Sequence, residues 1–376
     1  MTEPRNLLAV NFRDPAHPEA GGAELHLEEI LLEGVRRGAQ VTWLASGFPG
    51  GAPESEHRGI RVVRRGTWWN FNLIAPGVLR REFSGPDGPD LVIEDINKAP
   101  CFLAQATAAP VAVIVPHLFG AAAYQEANPL VASYVVLLER FIPGAYRRSR
   151  FVVISESTRD DLVERGVPRA AITVVHCGLD HDRYRLDAAV AKAARPTLVF
   201  VGRLRRYKGL DWVLRALPRV LERVPDARLE IVGDGPWQPA LVKQAAAYGV
   251  AHAVEFCGFL PFADKVRRMQ AAWAVVQPSP KEGWGLTVVE AGACGTAVVA
   301  ADSPGLRDSV RRDETGLLVR YGDDAALAAA LVRVLTESAL REQLAAAGVK
   351  WAAGFRWDEC ARRSLDALQG GAGDGH

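Results

Sequence analysis

Short apolar runs that alternate with amphipathic helical patterns occur twice along the chain. The first series opens with a strand pattern at residues 7–11, passes through a polar loop and a helical pattern, and reaches a second strand pattern at residues 41–44. A second series opens in the same way at residues 197–201, followed by a loop and a helical pattern from Leu210. Apolar strands separated by helices are typical of parallel sheets covered on both faces. The chain is therefore predicted to be α/β, with two Rossmann-like halves.

The length agrees with two domains, because 376 residues exceed what one ordinary hydrophobic core encloses. Residues 182–196 are polar, rich in alanine and without a strand pattern, so the linker is expected there. The predicted division is an N-terminal Rossmann-like domain at residues 1–184, a C-terminal one at 185–356, and a final helix with a tail at 357–376.

Charge and cysteine content exclude several classes of protein. A net charge of +1 provides no electrostatic basis for binding nucleic acid. The five cysteines lack the spacing of metal ligands and the N-terminus lacks a secretory pattern, so reduced thiols and a cytoplasmic location are expected. No stretch has the pattern of a transmembrane segment. Neither a metal nor a cofactor is expected.

A strand pattern at residues 274–276 leads through a glycine-containing loop into an apolar helical pattern. Backbone N–H groups in the first turn of a helix have no internal partners, so such a turn can bind a phosphate. The residues expected to do so are Gly283, Trp284, Gly285, Leu286 and Thr287.

Two carboxylates flank this turn, Glu282 in the loop and Glu290 in the helix. Phosphate would repel a carboxylate, so each is expected to accept hydrogen bonds from neutral hydroxyls, such as those of a sugar. Taken alone, the stretch is equally consistent with a buried turn beside two solvated glutamates.

Cations and glycines occupy two further loops that join a strand to a helix. Arg203 and Lys208 follow the strand at 197–201, where a planar guanidinium and an ammonium can converge on one diphosphate. Gly21 and Gly22 open the first helix, where a ligand could approach the backbone closely. The G-x-G-x-x-G pattern of a nicotinamide dinucleotide domain is missing after the first strand, which counts against a dehydrogenase.

Polar residues also follow strand patterns in the first half. Glu94, Asn97 and Lys98 come after the strand at 91–93, and His117 follows the strand at 111–115. The carboxyl ends of parallel strands form the edge at which α/β proteins bind ligands. Glu94, Asn97 and Lys98, with Asp14 in the opening loop, are therefore candidate acceptor contacts, although solvated loops would explain their charges almost as well.

Aromatic residues between 68 and 74 precede the paired arginines Arg80 and Arg81. Such a segment could lie on a membrane surface or line an acceptor pocket. The favoured interpretation is an amphipathic helix packed on the sheet.

Several motifs, in their order along the chain, resemble the family 4 retaining glycosyltransferases. They are Gly-Gly-Ala-Glu at 21–24, Gly-Arg…Lys-Gly at 202–209, Val-Gly-Asp-Gly-Pro at 232–236, and Glu282 with Glu290 around Gly-Trp-Gly-Leu. His176 and Cys177 depart from the Pro-Asn usual before Gly178. The resemblance implies a GT-B fold, in which two Rossmann-like domains face each other across a cleft and the last helix crosses back to the first domain.

The resemblance also implies roles. A nucleoside-diphosphate sugar, linked to uridine or guanosine, would bind the second domain, with Arg203, Lys208 and the helix start on the diphosphate and Glu290 on the ribose. Glu282 and His117 would contact the donor sugar, and Gly21 with Gly22 would face the diphosphate. Transfer to an acceptor hydroxyl of a small molecule or lipid, with retention and without metal, is expected; peripheral membrane contact is left open.

Three other functions fit parts of the pattern. A nucleotide-sugar epimerase of the same fold would use the same donor, and a non-catalytic subunit would bind it without turnover. A Rossmann oxidoreductase ranks third, because its fingerprint is missing.

Overall fold

Enclosed parallel strands form the centre of the first sheet. The computed structural model describes residues 5–126 and 128–370. The strands of this sheet are β1 (Asn6–Val10), β2 (Gln40–Gly47), β3 (Glu54–His57), β4 (Ile60–Thr67), β5 (Leu91–Asp95), β6 (Val111–Val115), β7 (Phe151–Val153) and β8 (Ile172–Val174). Their order is β3-β4-β2-β1-β5-β6-β7-β8, and all pairs are parallel except β3 with β4 at one edge.

The helices of the first unit that lie between these strands in the sequence pack on this sheet or on one another. They are α1 (Gly22–Arg36), α2 (Phe71–Glu82), α3 (Ala123–Glu126), α4 (Pro129–Glu139), α5 (Ile142–Ala145) and α6 (Glu156–Glu164). The sequence places Leu27, Ile30, Leu31, Gly34 and Val35 on one face of this helix, and in α1 all of them are buried except Val35, which is partly buried. Fully burying one such side chain stabilises the fold by about 1.5–3 kcal/mol, so packing of this face, more than helix propensity, holds α1 in place.

The second sheet contains β9 (Thr197–Val201), β10 (Arg228–Val232), β11 (Val254–Gly258), β12 (Ala274–Gln277), β13 (Ala297–Ala301) and β14 (Leu317–Val319). Its helices are α7 (Leu210–Arg223), α8 (Gln238–Ala247), α9 (Phe262–Ala271), α10 (Leu286–Ala293), α11 (Leu306–Ser309), α12 (Asp324–Thr336) and α13 (Ser338–Ala352). The strands are parallel in the order β11-β10-β9-β12-β13-β14. This is the doubly wound order: β10 and β11 are added on one side of β9, and β12 to β14 on the other side. The switch point of the sheet lies between β9 and β12.

The loops that follow β9 and β12 meet at Gly209, which has φ +72°. A Cβ there would lie 2.5 Å from the carbonyl oxygen of Pro278. Only glycine tolerates both the left-handed backbone and this approach. The crevice beyond the ends of β9 and β12 is where open α/β sheets bind ligands, so Gly209 brings the two loops together at the expected place.

The last helix, α14 (Trp357–Gln369), belongs to the first unit. Its Cys360, Leu365 and Leu368 share a core cluster with α1, and Arg37 donates to Asp366 over 2.7 Å. The first compact unit thus comprises residues 1–178 and 357–376, and the second comprises residues 179–356. The tail beyond Gly370 that was expected after this helix lies outside the described residues.

Several elements and boundaries differ from the sequence prediction. The predicted strand at 91–93 continues through Asp95, so Glu94 is a strand residue and does not lie in the following loop. The edge strand β3, which is exposed along most of its length, had no predicted counterpart. Helices α4 and α9 were also not predicted.

Candidate functional site

The ion pair between Lys208 and Glu282 lies at the switch point of the second sheet. Lys208 ends the turn after β9, and Glu282 belongs to the loop after β12. Lys208 Nζ lies 2.6 Å from Glu282 Oε1, and both side chains are about 15% exposed, at 15% and 16%. Each charge therefore holds the other in position at the mouth of the sheet, and both stay accessible to a ligand.

Hydrogen bonds join the loops that carry this pair. Ser303 Oγ donates to the carbonyl of Ser279 over 2.7 Å, and the amide of Glu282 donates to the carbonyl of Pro304 over 3.1 Å. Gly305 has φ +78°, and a Cβ there would lie 2.3 Å from the carbonyl oxygen of Glu282. The loop after β13 thus fixes the backbone of Glu282, which limits the positions that its carboxylate can take.

Arg203 is exposed at the beginning of the loop after β9. The neighbouring Leu204 anchors that loop, because its amide donates to the carbonyl of Asp234 and its carbonyl accepts from the amide of Trp237. Arg203 and Lys208 therefore start from one short, braced loop, which is the placement that the sequence predicted for them.

Helix α10 begins at Leu286 with Gly285 as N-cap and no side-chain cap. A Cβ on Gly285 would lie 2.5 Å from Ser309 Oγ, so glycine is needed where this loop packs against α11. Trp284 is buried, with its ring 5.3 Å from that of Phe355. The Trp284 side chain thus anchors the loop, and the groups at this turn that can meet a phosphate are the backbone N–H groups of residues 283–287.

Glu290 lies within α10 and faces Tyr184 and Lys265. Burial raises the pKa of Glu290, while the nearby Lys265 charge and a hydrogen bond from Tyr184 oppose the rise. Lys265 Nζ also donates to Tyr184 Oη, and the Lys265 ammonium lies 4.7 Å from the centre of the Phe262 ring. Tyr184 therefore links a cation to the carboxylate. Sequence reasoning missed Tyr184 and Lys265, because one lies in the linker and the other in a helix that was not predicted.

In the first unit, Gly21 and Gly22 are exposed at the start of α1. The Gly21 amide donates to Glu24 Oε2 over 2.7 Å, and Asn97 Nδ2 donates to Glu24 Oε1 over 3.1 Å. Asn97 is buried. Glu24 thus ties the loop after β5 to the start of α1, and sequence reasoning assigned it no role of its own.

Asp14 is fully buried and forms a two-pronged pair with Arg64. The distances are 2.7 Å from Arg64 Nε to Asp14 Oδ2 and 2.7 Å from Nη2 to Oδ1. The amide of Ala16 donates to Asp14 Oδ1 as well. These partners enclose the carboxylate, so Asp14 positions its loop; its acceptor contact stays a prediction.

Glu94 is likewise enclosed within β5. Its carboxylate accepts from the amides of Cys101 and Leu103 at 2.6 and 3.0 Å and from Tyr146 Oη at 2.7 Å. Burial raises the pKa of Glu94, and these three hydrogen bonds oppose the rise. These partners give Glu94 a positioning role, since it holds the segment that follows β5; its acceptor contact stays a prediction.

His117, Lys98, Phe119 and Trp68 lie together at the carboxyl edge of the first sheet. The rings of His117 and Phe119 are 4.8 Å apart. Lys98 Nζ lies 5.6 Å from the centre of the Phe119 ring and 5.8 Å from that of Trp68. The structure therefore gathers two of the predicted residues, His117 and Lys98, around aromatic rings that sequence reasoning had not linked to them.

Asp95 is a buried polar residue beside this edge that the sequence did not single out. Asn11 Nδ2 donates to its Oδ2 over 2.9 Å, whereas Oδ1 has no partner among the described residues. Burial, and then the charges of Glu24 and Glu94, raise the pKa of Asp95 well above its ordinary value. A protonated Asp95 can donate a hydrogen bond as well as accept one.

Within residues 5–126 and 128–370, no group of three histidine, cysteine or acidic side chains is arranged to hold a metal ion. In the same part of the chain, no helix combines the length and apolar character needed to cross a membrane.

Solved structures resemble almost the whole chain. A sucrose-phosphate synthase from Thermosynechococcus elongatus has a TM-score of 0.81 and 21% identity, over 97% of this chain and 98% of that one. HepE from Anabaena, solved with UDP-glucose, has a TM-score of 0.75 and 19% identity, over 97% and 99% of the two chains. At such identities the likeness concerns the fold alone. The predicted GT-B class, with two parallel α/β sheets, is confirmed.

Sequence families match both units. The model Glycosyltransferase Family 4 matches residues 20–183, and Glycosyl transferases group 1 matches residues 185–351. A D-inositol 3-phosphate glycosyltransferase from Frankia alni is 39% identical over 210 residues, which are 52% of each protein. The chain spans about half the length of the curated relatives it matches. It belongs to the family 4 glycosyltransferases, as its motifs indicated.

Proposed function

We propose that the chain transfers a sugar from a nucleoside-diphosphate sugar to an acceptor hydroxyl, with retention of configuration and without a metal ion. The observation that carries the proposal is the Lys208–Glu282 pair at 2.6 Å, at the switch point of the second sheet. Arg203 lies on the same loop as Lys208, and the start of α10 follows Glu282. Lys208 and Arg203, which could bind a diphosphate, thus lie on the loop next to the one that carries Glu282, whose carboxylate could bind a sugar.

Arg203, Lys208 and the N–H groups at the start of α10 are assigned to the diphosphate. Cleavage of the bond to the sugar places growing negative charge on the leaving phosphate. Fixed donors lower the barrier because they need no rearrangement, and removing one typically costs about 3 kcal/mol. Lys208 would exchange part of its pairing with Glu282 for the phosphate, so no bound cation is needed to balance the charge.

Glu282 is assigned to hydroxyls of the donor sugar near the reacting carbon. A carboxylate accepts such hydrogen bonds well, and the neighbouring Lys208 holds it in place. Glu282 acts by orientation and not as a nucleophile. Retention would follow from attack on the same face of the sugar, assisted by the leaving phosphate. His117, on the first unit, would orient the same sugar, and Gly21 with Gly22 would approach the diphosphate.

Glu290 is assigned to the ribose hydroxyls, with Tyr184 and Lys265 as the residues that orient it. The base would be uracil or guanine. HepE, which shares the fold, was solved with UDP-glucose, which supports uridine diphosphates as the first donors to test. We assign the acceptor to the first unit, with Lys98 and Asn97 near it. Whether it is a small molecule or a lipid is open to test; the Frankia relative acts on an inositol phosphate.

The cytoplasm is the proposed compartment. All five cysteines are free thiols in the structure, which supports a reducing environment.

Thermal unfolding with a panel of nucleotide sugars tests the donor assignment, because a ligand that binds only the folded state raises the apparent stability. The donor that stabilises the chain is then incubated with it alone and with candidate acceptors, after exhaustive chelation. Transfer, or slow donor hydrolysis, supports the proposal. Formation of an epimer identifies an epimerase, binding without turnover identifies a non-catalytic subunit, and a strict metal requirement contradicts the assignment of the cations.

A further inference from the structure

An exposed apolar stripe runs along α4 and its C-terminal end. Leu130, Tyr134, Leu137 and Phe141 follow one another at helical spacing, and they are 84%, 40%, 51% and 55% exposed. The opposite side of α4 holds the helix on the unit, because Ala132 and Glu139 are buried there. Leu138, at the margin of the stripe, packs against a core cluster that includes residues of α2. An apolar stripe that stays exposed on a helix anchored by its other side is available to a partner.

Helix α2 extends this stripe. Trp69 and Leu73 are 74% and 68% exposed, whereas Phe71 and Ala75 on the other side of the helix are buried. Asn72 Nδ2 donates to Tyr134 Oη over 2.8 Å, which joins α2 to α4. The six exposed residues therefore form one surface, here called the apolar face: Trp69, Leu73, Leu130, Tyr134, Leu137 and Phe141.

Among the residues whose side chains the structure describes, arginines are the exposed charges beside the apolar face. Arg80 and Arg81 are exposed in the last turn of α2, and Arg140 is exposed next to Phe141. The acids of the two helices are engaged elsewhere. Glu82 pairs with Arg65 at 2.7 Å, and Glu139 points inward and accepts from the amides of Phe119 and Gly120.

We propose that the apolar face docks this chain on an anionic lipid surface. Apolar and aromatic side chains would enter the boundary between headgroups and acyl chains, while the arginines contact lipid phosphates. A second copy of the chain is the less suitable occupant. In a twofold contact each copy would present the same face, so the arginines of both copies would be brought into one interface, which costs binding energy through like-charge repulsion.

The ring of Trp68 does not belong to the apolar face. It lies 5.4 Å from the ring of Phe12 and near Lys98, at the sheet edge that also carries His117. Since Trp69 is the next residue, the apolar face adjoins that edge within the first unit. If the proposed function holds, a lipid surface on the apolar face would present hydroxyl groups to the edge that carries His117, where the acceptor is proposed to bind. The docking itself does not depend on turnover.

Co-sedimentation with vesicles, in the absence of donor, tests the docking. One set of vesicles is phosphatidylcholine, and the other contains in addition roughly a third phosphatidylglycerol, which supplies the negative surface. We expect the chain to bind the anionic vesicles and not the neutral ones. The variant Trp69→Ser/Leu73→Ser should bind the anionic vesicles at least about tenfold more weakly. Arg80→Glu and Arg140→Glu should each weaken this binding at least about fivefold.

Exposed residues of the second unit supply matched controls. Val242→Ser and Arg223→Glu change surface positions of α8 and α7 and should bind vesicles like the parent. All variants should retain the thermal shift with the nucleotide donor, so a docking failure is distinct from a failed donor site. Absence of binding to anionic vesicles, binding unchanged in the Trp69→Ser/Leu73→Ser variant, or dimerisation without lipid that this variant abolishes would each overturn the proposal.

Discussion

The carboxyl edges of the two sheets use their charged residues differently. In the second unit, Lys208 and Glu282 pair at the mouth of the sheet, and Arg203 is exposed beside them. In the first unit, Asp14 and Glu94 are enclosed and bound to Arg64 or to backbone amides. The second edge thus keeps its charges available to a ligand, whereas the first uses them to hold its own loops. Changes at Asp14 or Glu94 should therefore alter stability, and changes at the second edge should alter nucleotide binding and turnover.

The largest expected effect is on the stability of the first unit. Asp14→Ala leaves the Arg64 guanidinium buried without its carboxylate, and breaking a buried pair in this way typically costs about 3–5 kcal/mol. Chemical denaturation measures this loss in the free energy of unfolding. The control is Glu19→Ala, which removes the half-exposed partner of Arg13 in the same loop and should cost less than about 1 kcal/mol. A loss in Asp14→Ala below about 1 kcal/mol, as expected for the control, would show that the Asp14 pair has no structural role.

The second effect is on turnover. Lys208→Met removes a cation from the proposed diphosphate site and should lower kcat/KM roughly a hundredfold, or about 3 kcal/mol, with little change in unfolding. Arg206→Met is the matched control, since Arg206 lies in the same turn but faces the Trp237 ring at 5.6 Å. If Lys208→Met turns over the donor at the parent rate, the assignment of Lys208 to the diphosphate is wrong.

The third effect is a pH dependence confined to the first unit. Burial lowers the pKa of His26, on α1, from 6.5 to about 4. Between these values the unfolded chain binds a proton that the folded chain excludes, so stability should fall as the pH drops from 6.5 to 4, by about 3 kcal/mol in total. His26→Leu should flatten this part of the profile. An unchanged slope in the variant would show that other groups cause the acid sensitivity.

The smallest effect concerns how Glu290 is oriented. Tyr184→Phe removes the hydroxyl between Lys265 and the Glu290 carboxylate and should weaken nucleotide binding about fivefold. That hydrogen bond lowers the pKa of Glu290, so its loss should raise this pKa. The pH at which nucleotide affinity begins to fall on acidification should then be higher in the variant than in the parent. Calorimetry across pH measures both. A merely structural role of Tyr184 would leave the midpoint of the profile in place, and Tyr248→Phe, on an exposed tyrosine, serves as the control.

Local patterns predicted most of the fold. Apolar strand runs, and helical faces such as that of Leu27, Ile30 and Leu31, depend only on residues that are close together in the sequence. The pattern failed for α4, because its apolar residues lie on two sides: Leu138 faces the core, while Leu137 and Leu130 face outward. It also misplaced the end of β5, because Glu94 and Asp95 are polar residues inside a buried strand. Their enclosure depends on distant partners such as Tyr146 and Asn11.

For the site, spacing along the chain placed Arg203, Lys208 and Glu282 in loops that follow two strands, and loops after parallel strands converge at one edge of the sheet. The roles of these residues and of Glu290 come from the family resemblance and stay predictions. The sequence alone thus determined the α/β class, the motifs and the family. Tertiary structure decided which charges remain accessible, since a carboxylate's availability depends on what lies within 3 Å of its oxygens in space. That is why Glu282 stands beside a cation at the mouth of one sheet while Asp14 and Glu94 are held inside the other.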